Sequence, residues 1–590
     1  MQLSHNPAQN APAVSGLPQS GHVRHGGRLA LKAKPLALCL AFSSLAFSQQ
    51  EQTALPPVRP FVLPPRIGIL NQAPLSLQQA LALALANNRD IDSSRADQEK
   101  AHLAILGARG VYDTRFGLNV YGQKAVTPVA STIGGSPTGS LLTRTWYGAP
   151  QLLGNTPWFG GSYEVDFVSQ RVTTNNTFAT LVPQYPTSLN LIYTQPLWRN
   201  LRIDSNRHQI EVAKKNQSLT DEQFRLRAMQ VMNQAEQAYW ELVFAYRNLE
   251  VQLEAVRIGI EQDASNRRQQ QQGLLAPIDV VAAQRQLSTF ETNAYSAHEA
   301  LTDAENALKL LILADRADPL WSTALIPSTP VEASTPTESL EEAVMQALAD
   351  RPEMAQVRIS SDINKVDTRF YHDQTKPQVD LVLTRTHAGL AGSVVPPQPN
   401  PFSSLGAVYE QVNELSALAG LPAIPLASFG SGALPPAFIG GYGQSLSALF
   451  AGNFPTTEIQ LRISMPIRNR TAEANLASSL VDARKIADQR QQTELSIEAG
   501  VRNAMQSVQS AKLRLQSASV ARESADQQYE SEQRQFRAGT STLFLVQQRQ
   551  SDMITARSVE RRAESDLGRA IASYELATAS ILRVHDVALR

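Results

Sequence analysis

The chain has 590 residues, 43% of them hydrophobic, and carries 53 basic against 53 acidic side chains. That length would house three or four ordinary domains, and the balanced charge leaves no electrostatic footprint for nucleic acid or for an anionic membrane surface. The only cysteine is Cys39, so no disulfide framework organises the fold.

At the N-terminus, Arg24, Arg28, Lys32 and Lys34 precede an apolar run from Leu36 to Phe47. Ala46-Phe47-Ser48 places small residues where a signal peptidase needs them, so residues 1–48 are expected to be a Sec-type signal peptide that takes Cys39 with it. The bulky Leu38 before Cys39 argues against a lipid anchor. Nowhere else do 18 apolar residues run together, which leaves no transmembrane helix. An exported chain of this kind is periplasmic, secreted, or an outer-membrane barrel.

A proline-rich segment, 49–74, leads into a first unit, 75–325. It opens with the helical box "LSLQQALALALANN" (Leu75 to Asn88). Phe116, Leu118 and Val120 then interleave with Gly117 and Asn119 in a strand's period. The Gly/Pro/Ser/Thr-rich insert from Lys124 to Thr187 is expected to be a surface loop, with a short hairpin of its own at Tyr163 to Val172. From Leu189 to Leu197 apolar residues again fall on every second position, and after Pro196 the pattern turns helical.

Leu197 to Ala276 contains no proline, and an interior proline costs a helix about 3 kcal/mol. A helix from about Asp204 to Gln272 would be on the order of 100 Å long. Met232, Ala235, Tyr239, Leu242, Tyr246, Leu249, Leu253, Val256 and Ile260 give it a heptad seam whose alanine implies close helix approach. Gly273-Leu274-Leu275-Ala276 is expected to reverse it.

The second unit, 326–590, repeats the first. "ESLEEAVMQALADR" (Glu338 to Arg351) matches the opening box at a shift of 263, the proline of "SMPIRNR" (Pro466) matches Pro196 at 270, and Gly539 matches Gly273 at 266. Strands are expected near Val379, Leu381 and Leu383 and from Ile459 to Ile467, separated by a second insert from His387 to Thr457. Ile497, Val501, Ala504, Val508, Ala511, Leu515 and Ala518 form a second seam, and Gly539-Thr540-Ser541-Thr542 a second reversal. The chain reads as a tandem duplication in which each copy contributes two strands of membrane-spanning length and long helices.

No catalytic chemistry stands out. Nine histidines are scattered without metal spacing, His208, His298 and His372 among them, and there is no HExxH, phosphate loop or nucleophile elbow. Gly440, Gly441 and Gly443 lack the strand-then-helix context of a nucleotide site. Neither an enzyme nor a cofactor or metal is expected.

The repeated LxxALxxAL box, the strand ending in QPL or MPI and the Gly-x5-Asp-Val-x2-Ala turn together resemble the TolC-like outer-membrane efflux family, from about Leu75 to the C-terminus. The resemblance implies an α+β membrane protein. It would be a homotrimer in which each chain gives four strands to one 12-stranded barrel in outer-membrane lipid, continued into the periplasm by a coiled-coil tunnel. It implies an exit duct for efflux or type I secretion that receives cargo from an inner-membrane transporter through a periplasmic adaptor. The adaptor would grip the tips Gly273, Leu274, Leu275, Ala276, Gly539, Thr540, Ser541 and Thr542. Leu545 and Gln548 are the candidates for the periplasmic constriction, and Pro196 and Pro466 mark the strand-to-helix junctions. Asp279, Val280 and Ala283 keep the family's turn pattern. The second copy has Leu545 where the aspartate is expected and Arg549 where the alanine is, so its constriction is expected to be apolar. A periplasmic adaptor or an adhesin stalk is the alternative, and a nucleic-acid partner is not expected.

Overall fold

The computed structural model describes residues 60–588 apart from 131–134, 137, 331–336, 397–404 and 426–433. The expected signal peptide and Cys39 lie outside the described residues. The first half begins with β1 (Asn71–Leu75). Ser76 then accepts from the Gln79 amide while the Gln79 side chain takes the Ser76 amide, a capping box that starts α1 (Leu77–Asn87). Asn88 ends α1 and caps α2 (Arg89–Arg109). Four strands follow, β2 (Arg115–Pro128), β3 (Ser140–Asn155), β4 (Ser162–Thr174) and β5 (Leu181–Pro196). The Asp204 carboxylate accepts from the Arg207 amide and opens α3 (Ser205–Gln271), 67 residues or on the order of 100 Å. Helix α4 (Pro277–Ile312) returns along it.

The second half runs through β6 (Thr323–Pro327), α5 (Leu340–Asp350), α6 (Pro352–Gln374) and β7 (Gln378–Val394). After α7 (Leu405–Leu418) and α8 (Tyr442–Phe450) come β8 (Phe454–Ser464), α9 (Arg470–Arg537), α10 (Leu543–Ala577) and the single turn α11 (Ile581–Val584). The order short strand, two helices, barrel-type strands and long hairpin thus occurs twice. The capping box recurs too, with Ser339 and Glu342 before α5. Strand β8 ends at Ser464 rather than Ile467, so Pro466 lies two residues beyond it, whereas Pro196 closes β5 and pairs with Asp380.

The main sheet corrects the expected strand count. It has six antiparallel strands in the order β2-β3-β4-β5-β7-β8, not four. The insert between β2 and β5 is a hairpin of 16 and 13 residues rather than a loop. It pairs along its length with both neighbours, for example Leu118 with Pro150 and Val165 with Leu191. Its turn is docked on the strand-to-helix junction: Gln195 donates to the Phe159 carbonyl at 2.8 Å, and a Cβ on Gly160, whose φ is +69°, would lie 2.7 Å from the Asn200 carbonyl oxygen. The second insert instead folds as α7 and α8. Helix α8 rests on β5 and β7, where the buried Ser445 and Thr187 hydroxyls meet at 2.8 Å.

Both heptad seams are core. Met232, Ala235, Tyr239 and Leu242 are fully buried against Leu81, Ala84, Leu308 and Ile312. Ile497, Val501, Val508 and Ala511 pack on Ala343, Ala347, Leu567 and Tyr574. The seams therefore join helices of one chain. The helices form a layer in which α3 packs against α4 and α10, and α10 against α9, while nearer the sheet α3 packs against α2 and α6, and α6 against α9. The short strands β1 and β6 pair in parallel and tie the halves together. The buried Tyr239 hydroxyl donates to the Leu75 carbonyl and accepts from the Thr329 amide, both at 3.1 Å. Lys309, fully buried, reaches Glu305 at 2.6 Å and donates to the Thr323 carbonyl at 2.7 Å, so its charge is matched inside the core.

The C-terminus is clamped electrostatically. His585 Nε2 lies 3.3 Å from a Glu236 carboxylate oxygen on α3 and 3.3 Å from one of Glu575 on α10. Burial pulls the imidazole pKa down, but its bonds to the two carboxylates outweigh this and push it up to about 9. Burial likewise raises Glu575, against the lowering by His585. A histidine whose folded pKa exceeds its unfolded value contributes stability that is complete below about 6.5 and is lost as pH rises through the folded value. Hydrogen exchange at α11, corrected for intrinsic pH dependence, should therefore accelerate between pH 7 and 10. His585→Gln should expose α11 at pH 7 and flatten that dependence.

Candidate functional site: a two-faced sheet and paired helix tips

Side chains alternate across the six-stranded sheet so that one face is apolar and the other polar. On the first face the register places Phe116 beside Leu152, Leu152 beside Val165 and Val165 beside Leu191. Leu381 sits beside Leu461 and Leu383 beside Ile459. Phe116, Leu118, Val120, Trp146, Ile459, Leu461 and Ile463 stand largely exposed there. On the opposite face Gln151, Asp166, Asn190 and Thr386 follow one another across four strands. Asn190 donates to Asp166 at 3.4 Å and Thr386 to Asn190 at 3.0 Å. Tyr121 and Tyr147 stack on this face with centroids 4.6 Å apart. At the end of the sheet that joins the helices, Trp158, Phe159 and Trp198 are exposed. An apolar outside, a polar inside and aromatics at the rim are what a strand wall between lipid and water requires. Among the described residues no helix is long and apolar enough to cross a membrane.

At the far end of the helices both reversals are built alike. Gly273 and Gly539 each take φ +75°, a left-handed conformation that glycine adopts without penalty. The Gly273 amide bonds to Gln270 O and the Leu274 amide to Gln269 O; in the second copy Gly539 bonds to Phe536 O and Thr540 to Gln535 O. This is a Schellman C-cap in each case. Pro277 then starts α4, and Thr542 caps α10 by accepting from the Leu545 amide. Leu274, Ala276, Thr540 and Thr542 are exposed, while Leu275 and Ser541 are half-buried. The two tips lie at the same end, because Val256, Leu287 and Phe290 of the first hairpin share a core with Tyr529, Val546 and Met553 of the second. Salt bridges Arg562–Glu241 at 2.8 Å and Arg247–Glu564 at 2.8 Å continue the seam between α3 and α10.

Leu545 and Gln548 are both exposed, in the first two turns of α10. Leu545 shares a helical face with Asp552, seven residues on, which the sequence reading passed over. Asp552 accepts from Gln548 at 3.0 Å and faces Arg549 at 3.5 Å, so its charge is partnered. The copy-specific Arg549 thus neutralises the nearest acid. Asp279, the first-copy equivalent of Leu545, is half-buried, and Val280 and Val546 are both buried.

Among the described residues, Glu236, Glu575 and His585 are the one group whose ligand atoms lie close enough to share a cation. A protonated His585 between two carboxylates accounts for that arrangement as an ion bridge. His208 is bound instead to Asp367 at 2.7 Å and stacked on Phe370, a packing role.

No family model matches the chain, and no curated protein matches it. Solved structures do. The CmeC outer membrane channel of Campylobacter jejuni superposes with a TM-score of 0.57 at 16% identity, covering 85% of each chain. The outer membrane protein VceC of Vibrio cholerae gives 0.56 at 14% identity over 85% of this chain and 95% of its own. The open state of the Neisseria gonorrhoeae MtrE outer membrane channel gives 0.53 at 15% identity over 86% and 89%. With the two-faced sheet, the long hairpins and the paired tips following one another in that order, the chain has the TolC-like outer-membrane channel fold.

Proposed function

We propose that the protein is the outer-membrane exit duct of a tripartite efflux or type I secretion system, built from three copies of a tandemly duplicated chain. The observation that carries this reading is the direct connection of an open-edged sheet with one apolar and one polar face to helices on the order of 100 Å long. The sheet suits the outer membrane, and the helices reach across the periplasm toward an adaptor and an inner-membrane transporter. The role is passage, with no chemistry on the cargo. An adaptor or an adhesin stalk would have no use for six strands with one apolar face, so the channel reading is preferred.

The tips are the docking surface in this reading. A side chain at Gly273 or Gly539 must occupy the left-handed region at a cost of roughly 1–3 kcal/mol, which distorts the tip and leaves the distant sheet untouched. Gly273→Phe and Gly539→Phe should reach the outer membrane in normal amounts while adaptor cross-linking and drug resistance or secretion fall at least tenfold in a strain lacking its own duct. Full restoration by both variants would place docking elsewhere.

Threefold symmetry would bring Leu545 of each chain together near the tips as an apolar constriction that resists ions by dewetting. In planar bilayers the unmodified channel should show low conductance with little block by multivalent cations. Leu545→Ser should raise conductance several-fold, and Leu545→Asp should introduce cation block. No change on Leu545→Ser would locate the gate elsewhere along the helices.

A further inference from the structure

We propose that the membrane wall of this protein is an 18-stranded barrel, six strands from each of three chains, with the β3–β4 hairpin as part of the wall and β8 of each chain paired to β2 of the next. The threefold count rests on the exit-duct reading; six strands per chain and the pairing of open edges rest on the sheet itself.

Three observations carry it. First, the hairpin obeys the same two-face rule as its neighbours: Trp146, Leu152, Val165 and Phe167 fall on the apolar face, and Gln151 and Asp166 on the polar one. A loop folded over the mouth or into the bore would have no reason to keep an apolar face in register with β2 and β5. Second, the sheet stops abruptly. Every residue of β8 and nearly every residue of β2 is exposed, while the strands between them are largely half-buried. Edge strands inside hydrocarbon would leave rows of unpaired N–H and C=O groups at several kcal/mol each, so both edges must be paired. An even number of antiparallel strands makes β8 antiparallel to the β2 of a second copy, which is the partner that fits. Third, the widths agree. Strands spaced about 4.8 Å and tilted about 40° occupy about 6 Å of circumference each, so six span about 37 Å. The four-helix row nearest the sheet, α2-α3-α6-α9, spans about 36 Å at about 9 Å per helix. By these spacings six strands match the width of four helices, and four strands would span about 25 Å. Barrels of 16–18 strands leave a water-filled lumen, so the wall is wide and the helix tips remain the narrow part of the path.

Cysteine pairs on the full chain carrying Cys39→Ser test this in outer membranes. If the hairpin lay outside the wall, β2 would pair with β5 as β7 pairs with β8, and Leu118 would meet Leu191 as Leu381 meets Leu461. The expected result is that Val165→Cys with Leu191→Cys cross-links within the chain and Leu118→Cys with Leu191→Cys does not. Leu461→Cys combined in turn with Phe116→Cys, Leu118→Cys and Val120→Cys should give at least one pair that yields covalent trimers. Trp146 fluorescence, taken as the difference from Trp146→Phe, should be quenched by bromine on lipid acyl chains. Cross-linking of Leu118→Cys to Leu191→Cys, or an unquenched Trp146, in a protein that still supports efflux or secretion would overturn the six-strand wall and leave the duct intact. Absence of every interchain cross-link in such a protein would overturn the edge pairing. A protein found outside the outer membrane would overturn the duct reading itself.

Discussion

A backbone that enters hydrocarbon must pair every N–H and C=O, and in the proposed duct the rest of the structure follows from how the chain meets that demand. Within one chain the pairing runs unbroken across six strands and then ends at two open edges. Side-chain chemistry agrees with the backbone: the apolar row from Phe116 to Leu191 and the polar row from Gln151 to Thr386 lie on opposite faces of the same strands. In the proposed duct the wall is therefore a shared object, completed by further copies of the chain.

The same requirement fixes the junction with the helices. Strand β5 ends at Pro196, which has no amide proton to offer a ladder. Eight residues later Asp204 caps α3, and the turn of the β3–β4 hairpin packs against that junction at Gly160. Below it, helices with alanine at the seam approach closely enough to form a single layer. The buried bonds of Tyr239 and Lys309 hold the paired short strands β1 and β6 against it. Stability is concentrated in this middle zone, and the helix tips stand away from it, held by C-caps whose glycines leave their outer surface open to a partner.

Much of this was legible in the sequence. The proline-free windows and the two glycine reversals placed both ends of α3 within a residue and marked where each long hairpin turns, because helical periodicity persists over many turns and caps are local. The strands that the sequence reading missed were missed for a physical reason. In β3 the apolar face is interrupted by Arg144, Gly148 and Pro150, and proline and glycine are ordinarily turn residues. In β4 the alternation of Tyr163, Val165 and Phe167 with Glu164 and Asp166 is that of a strand, but in a Gly/Pro-rich insert it reads as a short hairpin within a loop. Among the described residues the second copy has no counterpart to that hairpin, so the duplication does not announce it. The clamp on His585 depends on Glu236, hundreds of positions away, as well as on the nearby Glu575, so no local pattern announces it; Arg549 and Asp552 form an i,i+3 pair, a spacing that was legible in the sequence.

In the proposed duct one chain is an incomplete wall, and the number of chains that complete it decides whether the molecule is a duct at all. Native mass spectrometry of the protein extracted from outer membranes into detergent measures that number directly. A single species of three chains is predicted. A stable monomer with both edges unpaired, or extraction from the inner membrane alone, would contradict a channel closed by shared strands.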